Sequence, residues 1–385
     1  MPLSSSQRSL LPLVGLQGAV HSLGGFIGFF VVGEHSIHAL LRYTAGMMTA
    51  AMLATFIAYA FGSRLGLSAR GLLRLGFVLP GVLLLAAGTS VAALALAFGT
   101  FLGMTWSARH ALEMSLMQNR ERDGYAAHAV AMMLVPALLA TLAATVILAL
   151  GGQSAQHVYW FYGAMCVAGG LLLGRGIPDT EPVALKAPLA VLRQPQFIAC
   201  LPLFFLESGL FGISQAMAAA GAVQALGSAS QFGWVATVAG LVGGCALYLT
   251  RRQRDIHNRA GWLGAACLVI GLSYVLLGAS AWLPALFVVH AVTRAAGMPF
   301  LSASQQVMNQ CTLDVRGELS DRIFARELVL WLLRMISLGL FWLLAMALTP
   351  IQLLVAGASV LACATALEYL LGKSLFGRNL AHQPA

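Results

Sequence analysis

Two basic side chains, His290 and Arg294, lie four residues apart in an apolar stretch, 286–310, that is long enough to cross a bilayer as a helix. Residues four apart share one face of a helix. An arginine near the middle of a membrane helix costs at least about 2.5–3.5 kcal/mol when it faces lipid. We therefore expect this face to turn inward, toward a partner or a wet cavity, and the helix to form one wall of a transport pathway.

Two more ionisable residues are expected at the same depth. Glu207 and Arg334 each lie roughly ten residues into an apolar run, and a helix rises about 1.5 Å per residue. We predict a buried cluster of Glu207, Arg294 and Arg334, with His290 beside it. Burial favours a neutral carboxylic acid and arginine favours the charged form, so moving one partner would switch protonation and couple protons to transport. The alternative is a permanent ion pair that locks three helices together.

A second set of polar and aromatic residues lies on helices that could line the same pathway. Arg109 and Glu113 share a face, as do Gln17 and His21. The structural alternatives are that Arg109 and Glu113 form an interfacial ion pair, that His21 is a hydrogen-bonded core histidine, and that the aromatic residues only pack against their neighbours. The candidate substrate-binding residues are Gln17, His21, Trp106, Arg109, Glu113, Phe211 and Phe300.

Charged residues near predicted helix ends are candidate gate residues. They are Glu34, Arg42, Arg64, Asp255 and Glu327. Glu34 has His35 and His38 nearby, a spacing that could hold a metal, but we expect a polar outer rim. Glu327 is expected at the cytoplasmic mouth, where a local pair with Arg326 is the alternative. We predict neither a metal nor a cofactor.

The composition indicates a polytopic membrane protein. Of 385 residues, 59% are hydrophobic and 9% are charged, whereas an ordinary soluble protein carries about 25% charged residues. The net charge of +9 does not predict nucleic-acid binding, because the basic residues sit in short loops between apolar segments. The six cysteines are scattered without a CxxC motif, so we expect small packed thiols. The start of the chain shows no small-residue cleavage site, and no removed signal peptide is expected.

Apolar runs of about 20 residues predict twelve membrane helices. They lie near 10–33, 38–62, 71–88, 90–115, 126–150, 158–174, 196–222, 230–250, 261–279, 283–309, 324–348 and 350–371. A polar loop, 175–195, divides the chain into an amino-terminal bundle, 1–174, and a carboxy-terminal bundle, 196–385. The fold class is therefore an all-α membrane protein of two six-helix bundles.

The basic residues are strongly one-sided. All but four of the 22 lie on alternate connections or at the two ends. The four exceptions, inside predicted helices, are Arg42, Arg109, Arg294 and Arg334. Because lysine and arginine accumulate on the cytoplasmic side, we expect both termini in the cytoplasm and the chain in the inner membrane.

The two halves also share short sequence similarities. Residues 103–106 (GMTW) match 297–300 (GMPF) at an offset of 194, and the same offset pairs Met114 with Met308. In the first and seventh predicted helices, LPL at 11–13 matches LPL at 201–203, which sets Gln17 opposite Glu207. Together these matches favour a duplicated six-helix unit.

Over nearly its whole length the chain resembles the major facilitator superfamily. The second interhelical loop of that family reads Gly-x-x-x-Asp-Arg-x-Gly-Arg; in the matching stretch 62–66 here, Arg64 and Gly66 match, with Ser63 in place of the aspartate. Residues 120–124 (RERDG) resemble the family's arginine-rich loop. The resemblance implies that helices one, four, seven and ten line a central cavity, that two, five, eight and eleven join the halves, and that the rest face lipid.

The leading hypothesis is a proton-coupled secondary transporter, a monomer in the bilayer, for a small anionic, zwitterionic or amphipathic molecule, including a siderophore or a drug-like compound. Arg294 and Arg334 leave excess positive charge, which favours an anionic or zwitterionic substrate. No GxxxxGK[ST], HExxH or GxSxG motif occurs, so ATP-driven pumping and an integral membrane enzyme are disfavoured. A lipid flippase or a non-transporting sensor on the same fold is the alternative.

Overall fold

The computed structural model describes residues 3–250 and 257–381, and this part of the chain is almost entirely helical. Its long helices are α1 (Ser5–Glu34), α2 (Ile37–Phe61), α3 (Ala69–Ala86), α4 (Val91–Leu116), α5 (Arg122–Leu150), α6 (Ala155–Leu172), α7 (Pro195–Ala225), α8 (Ala229–Thr250), α9 (Arg259–Ala279), α10 (Leu286–Thr312), α11 (Leu319–Ala347) and α12 (Pro350–Ala381). The predicted all-α membrane fold is confirmed.

Eleven of these helices are long and apolar enough to cross a membrane, within the described residues. The twelfth, α6, has 18 residues but opens with the polar residues Gln156 and His157, which lower its mean hydropathy. It packs closely against α3, where a Cβ at Gly81 would lie 2.8 Å from the carbonyl oxygen of Gly163. Since α6 lies alongside a membrane helix, we count it as the twelfth span.

Close helix crossings build each half. A Cβ at Gly103 of α4 would lie 2.1 Å from the carbonyl oxygen of Ala51 on α2. In the second half, a Cβ at Gly243 of α8 would lie 2.4 Å from the carbonyl oxygen of Ala295 on α10. Small residues let membrane helices approach backbone to backbone. The same kind of crossing therefore recurs at corresponding helices, α2 with α4 and α8 with α10.

Two helix pairs form the most extensive contacts between the halves. Helix α8 packs along α5, where Gly233 lies against the hydroxyl of Thr145. Helix α11 packs along α2, where Trp331 Nε1 donates to Thr49 Oγ1 at 3.3 Å. These are the contacts expected between bundles 1–174 and 196–385, and that division stays a prediction.

The polar loop 175–195 connects the halves on the side where the arginines cluster, called here the arginine-rich side. A carboxylate of α11, Asp321, accepts hydrogen bonds from the backbone N–H groups of Lys186 and Ala187, both at 2.9 Å. At the other end of the loop, Asp179 pairs with Arg70 of α3 at 2.5 Å. Gly62, which begins the stretch that resembles the family's loop, packs directly against this polar loop, since a Cβ there would lie 2.4 Å from the carbonyl oxygen of Val183.

The helices α1 and α7 are both interrupted near the middle of the bundle. Helix α1 breaks at Ser22, whose hydroxyl bonds to the carbonyl oxygen of Ala19 and to the Tyr162 hydroxyl. Helix α7 contains a π-helical turn, Phe205–Gly209. Such turns are rare and frequently mark functional sites. Both interruptions adjoin the residues that line the cavity.

Candidate functional site

A cavity of about 400 Å³ lies between the two halves. Its walls include apolar side chains, four arginines and three glutamates. The charged members are Arg109, Arg294, Arg326, Arg334, Glu207, Glu327 and Glu368. An apolar cavity with a few convergent polar groups is the usual form of a small-molecule site.

Glu207 lies in the π-helical turn of α7, with its side chain 5% exposed. One carboxylate oxygen, Oε1, accepts a hydrogen bond from the amide of Asn309 on α10 and lies 3.9 Å from Arg326. Asn309 also accepts a hydrogen bond from Arg326, so it bridges the pair. The other oxygen, Oε2, is buried and has no partner among the described residues.

The cation nearest to Glu207 is Arg326, and not Arg294 as expected from the sequence. The reason is the length of α11, which begins at Leu319, five residues before its predicted start at residue 324. Arg326 is then two turns inside the helix, about 10 Å from its end. It also pairs with Glu327 at 2.9 Å, so both residues line the cavity, whereas Glu327 was expected at the cytoplasmic mouth.

Arg334 lies next to Glu207 but is held by the backbone of α7. It donates hydrogen bonds to the carbonyl oxygen and the hydroxyl of Ser208, and its neighbour on α11, Ser337, donates to the Gly209 carbonyl oxygen at 2.5 Å. The π-helical turn releases carbonyl groups that would otherwise bond within the helix. Side chains of α11 satisfy them, which fixes the position of Glu207.

Arg294 lines the cavity at a distance from this cluster. Its guanidinium forms no hydrogen bond or ion pair with any residue that the structure describes, and its Nε atom is buried. It is close enough to interact electrostatically with both His21 and His290. His290 itself points away, with Nδ1 2.7 Å from the carbonyl oxygen of Ser273 on α9.

A fully buried network connects the halves on the arginine-rich side of the cavity. Arg109 donates to Glu113 at 2.6 Å and to Gln17 at 3.0 Å, all within the first half. From α10, Gln306 and Gln310 donate to the same Glu113 carboxylate at 3.0 and 3.2 Å. The Arg109–Glu113 pair predicted from their spacing thus also carries hydrogen bonds between the halves.

A carboxylate that sequence reasoning missed, Glu368, lines the cavity from α12. It is 3% exposed and accepts one hydrogen bond, from Gln305 of α10 at 2.8 Å. The family resemblance assigned α12 to lipid, yet one face of it reaches the cavity at Thr365 and Glu368. A single acidic residue inside the predicted helix 350–371 was the available signal.

The aromatic candidates separate into two places. Trp106 and Phe211 line the cavity, and the Arg109 guanidinium lies 5.1 Å from the Trp106 ring centre. Phe300 instead stacks on Trp262 at 5.4 Å and is not part of the cavity wall. Helix rotation decides this difference, because Phe300 lies on the side of α10 that faces α9.

Three other gate candidates form no hydrogen bond or ion pair between the halves within the described residues. Glu34, Arg42 and Arg64 are exposed, and Arg64 packs over the Phe61 ring of its own half. Asp255 lies outside the described residues. Within the described residues, no three His, Cys, Asp or Glu side chains converge to hold a metal ion.

Two ion pairs close the arginine-rich side instead, and we call them the arginine-side pairs. Arg122 of α5 binds Asp314, just after α10, at 2.5 Å. Its neighbour Asp123 binds Arg259 of α9 at 2.5 Å, with side chains 5% and 3% exposed. On the other side of the cavity, the second part of α1 packs on α7, and Phe29 of α1 stacks on Phe232 of α8 at 5.4 Å. Contacts between the halves therefore lie on both sides of the cavity.

Several solved structures share this architecture, and each of the following is a membrane transporter by its name. The human organic anion transporter MFSD10 (TETRAN) aligns with a TM-score of 0.64 at 14% identity, over 96% of this chain and 100% of that one. A bacterial homologue of the iron transporter ferroportin aligns with a TM-score of 0.57 at 16% identity, over 97% and 99%. The fucose:proton symporter FucP of E. coli aligns with a TM-score of 0.58 at 15% identity, over 96% and 98%.

The chain has the major facilitator fold. The structural likeness extends over nearly the full length of both partners, so the predicted twelve-helix architecture is confirmed. No protein-family model matches the chain, and no curated protein matches it significantly. At identities of 14–16% the likeness establishes the major facilitator fold, and the substrate has to be argued from the cavity itself.

Proposed function

We propose that the protein is a proton-coupled secondary transporter that moves a small organic molecule across the inner membrane by alternating access. The observation that carries this proposal is the charged cavity between the halves, with contacts between the halves on both sides of it. A binding site at the interface of two bundles, with a breakable seal on each side, is what a rocking carrier requires.

In this proposal the halves 1–174 and 196–385 move as units, and the protein acts as a monomer. Opening toward the arginine-rich side, which we assign to the cytoplasm, breaks the arginine-side pairs and the bonds from Gln306 and Gln310 to Glu113. Opening to the other side separates α1 from α7. Each seal consists of a few contacts, so breaking one while forming the other keeps the two states close in free energy.

Glu207 is the proposed proton carrier. The charged groups that face it are Arg326, Arg334 and Glu327 from α11 and Glu368 from α12, with Asn309 from α10. Protonation would neutralise the Glu207 carboxylate, so Arg326 would then pair only with Glu327. A negatively charged substrate in the same cavity is repelled less when Glu207 is protonated, so substrate and proton occupancy become linked.

The cavity supports an anionic, zwitterionic or amphipathic substrate. Arg294 and Arg334 lack a carboxylate within ion-pair distance among the described residues, while Trp106, Phe211 and methionines provide apolar walls. Adaptable methionine and flat aromatic surfaces suit organic groups of varied shape. The names of two compared transporters, an organic anion transporter and a proton symporter, agree with both parts of the proposal.

The test is transport by purified protein in liposomes, with a substrate found by a thermal-shift screen of metabolites, drugs and metal chelates. Glu207→Gln should abolish accumulation driven by a pH gradient while leaving substrate exchange between equal pH values intact. Glu318→Gln, which removes an exposed carboxylate paired with Lys186 on the arginine-rich side, is the matched control. Driven accumulation that persists in Glu207→Gln would show that Glu207 is structural.

A further inference from the structure

Two residues that line the cavity each carry a buried polar atom without a partner among the described residues. Arg294 Nε on α10 and His21 Nδ1 on α1 are both buried and make no hydrogen bond within the described part of the chain. Both residues line the cavity, and they interact electrostatically. Buried polar groups are nearly always paired, so two unpaired atoms at one place indicate that a ligand completes them.

The ligand group must be an acceptor, and its natural charge is negative. A guanidinium has five N–H donors and no acceptor, and a neutral imidazole can carry its proton on Nδ1. The other cavity arginines all have partners: Arg109 and Arg326 have carboxylates at 2.6 and 2.9 Å, and Arg334 donates hydrogen bonds to the carbonyl oxygen and hydroxyl of Ser208. Arg294 is thus a half-buried cation with a buried Nε atom and no carboxylate within ion-pair distance among the described residues.

The surroundings of this pair are suited to an organic anion. The Phe211 ring lies 6.4 Å from the His21 ring, and a hydroxyl pair, Ser214 and Tyr274 at 2.9 Å, lines the same cavity. The acidic end of the cavity is remote, because Gln305, which bonds Glu368, lies eleven residues further along α10, about 16 Å. Carboxylates at that end repel a negative group and direct it toward Arg294.

We propose that Arg294 and His21 form the anion subsite of the cavity, and that the substrate is an amphipathic organic monoanion, a carboxylate or a sulfonate. The inference rests on the proposed transport function for its biological meaning, but binding can be measured without transport. The anionic group bonds Arg294 and His21, and the apolar body lies against Phe211 and Trp106. A cavity of about 400 Å³ admits a body of one or two rings.

Binding to the purified full chain tests the subsite, with no pH gradient present. Isothermal titration compares phenylbutyrate with its neutral amide and its amine, benzenesulfonate with benzenesulfonamide, and inorganic phosphate. The anions should bind at least tenfold more tightly than their neutral counterparts, and the amine most weakly. Arg294→Gln should erase this advantage while the amide binds unchanged, which also shows that the variant is folded. Arg294→Lys should keep part of the advantage, and His21→Asn should lose a smaller part.

The control is Arg64→Gln, which removes an exposed arginine far from the cavity and should leave all affinities unchanged. The proposal is overturned if neither anion outbinds its neutral counterpart, or if Arg294→Gln keeps the advantage. If inorganic phosphate binds as tightly as phenylbutyrate, the inference that the substrate is an organic anion is overturned. Glu207→Gln, which mimics the protonated carboxyl, should keep the advantage of phenylbutyrate over its amide, so failure of proton coupling and failure of this subsite give different results.

Discussion

The buried pair of Asp123 and Arg259 makes a quantitative prediction about how the arginine-rich side opens. Asp123 begins α5 in the first half and Arg259 begins α9 in the second, and their side chains are 2.5 Å apart and nearly inaccessible. The perturbation is Asp123→Asn, which keeps the shape of the side chain and removes its charge. Because the contact joins the halves, its loss destabilises only the closed arrangement.

The magnitude follows from the surroundings of Arg259. Removing one partner of a buried ion pair typically costs about 3–5 kcal/mol. Arg259 keeps hydrogen bonds to the carbonyl and side-chain oxygens of Asn119 at 3.2–3.5 Å, so we expect the lower end, about 3 kcal/mol. Since about 1.4 kcal/mol is a factor of ten, the open arrangement should become roughly 100-fold more populated.

A native cysteine reports this opening. Cys311 lies at the end of α10, 6% exposed, close enough to interact with Arg122 and Arg259. In a variant that keeps it alone, with serine or alanine at Cys166, Cys200, Cys245, Cys267 and Cys363, its rate of alkylation by N-ethylmaleimide measures the open fraction. Asp123→Asn should raise that rate about 100-fold.

Two other carboxylates on the same side serve as comparisons for Asp123→Asn. Asp179→Asn removes an exposed carboxylate of the same side that does not join the halves, and it should leave the rate unchanged. Asp314→Asn should give a smaller rise, because the Asp314 side chain is 42% exposed. A rate within twofold of the parent for Asp123→Asn, in protein that still melts cooperatively, would refute the role of this pair in closure.

Two further variants test the packing and the central network. Gly103→Ala should lower the free energy of unfolding by about 1–3 kcal/mol, because its Cβ would meet the backbone oxygen of Ala51 at 2.1 Å and force α4 away from α2. Gly271→Ala is the control, since Gly271 has open space around it and the substitution should not lower stability. Thermal melting of both variants in detergent measures the difference. Glu113→Gln should cost about 3–5 kcal/mol by leaving Arg109 buried without a counter-charge. The double variant with Arg109→Gln should recover part of the lost stability, because the unpaired buried charge is then removed. A Glu113→Gln protein as stable as the parent would contradict the view that Arg109 depends on Glu113 as its buried counter-charge.

Helix positions were predictable from the sequence because a run of 20 apolar residues is a strong local signal. Most predicted boundaries agree with the structure within about four residues. Larger differences occur at the starts of α1 and α11 and at the end of α12. Helix α11 is the most instructive, since it starts at Leu319 with a polar first turn that is typical of a loop. These five additional residues place Arg326 and Glu327 about two turns inside the helix, where they line the cavity.

The depth and the pairing of the buried charges were both hard to predict. Counting residues from a helix start gives the depth of a residue only where the helix is regular, and the first part of α7 is broken into short turns. Arg294 and Glu207 were expected at the same depth, but Glu207 lies beside Asn309, fifteen residues further along α10 than Arg294, or about 22 Å. The π-helical turn at Glu207 adds a further shift that periodicity cannot show.

The most direct test of the account is whether protons move with the substrate through Glu207. Purified protein is sealed in liposomes with a pH-sensitive dye, and substrate is added at equal pH on both sides. Proton coupling through Glu207 predicts a substrate-dependent change of internal pH in the parent, and substrate exchange without any pH change in Glu207→Gln. An equal pH change in both proteins, or none in the parent while substrate accumulates, would contradict it.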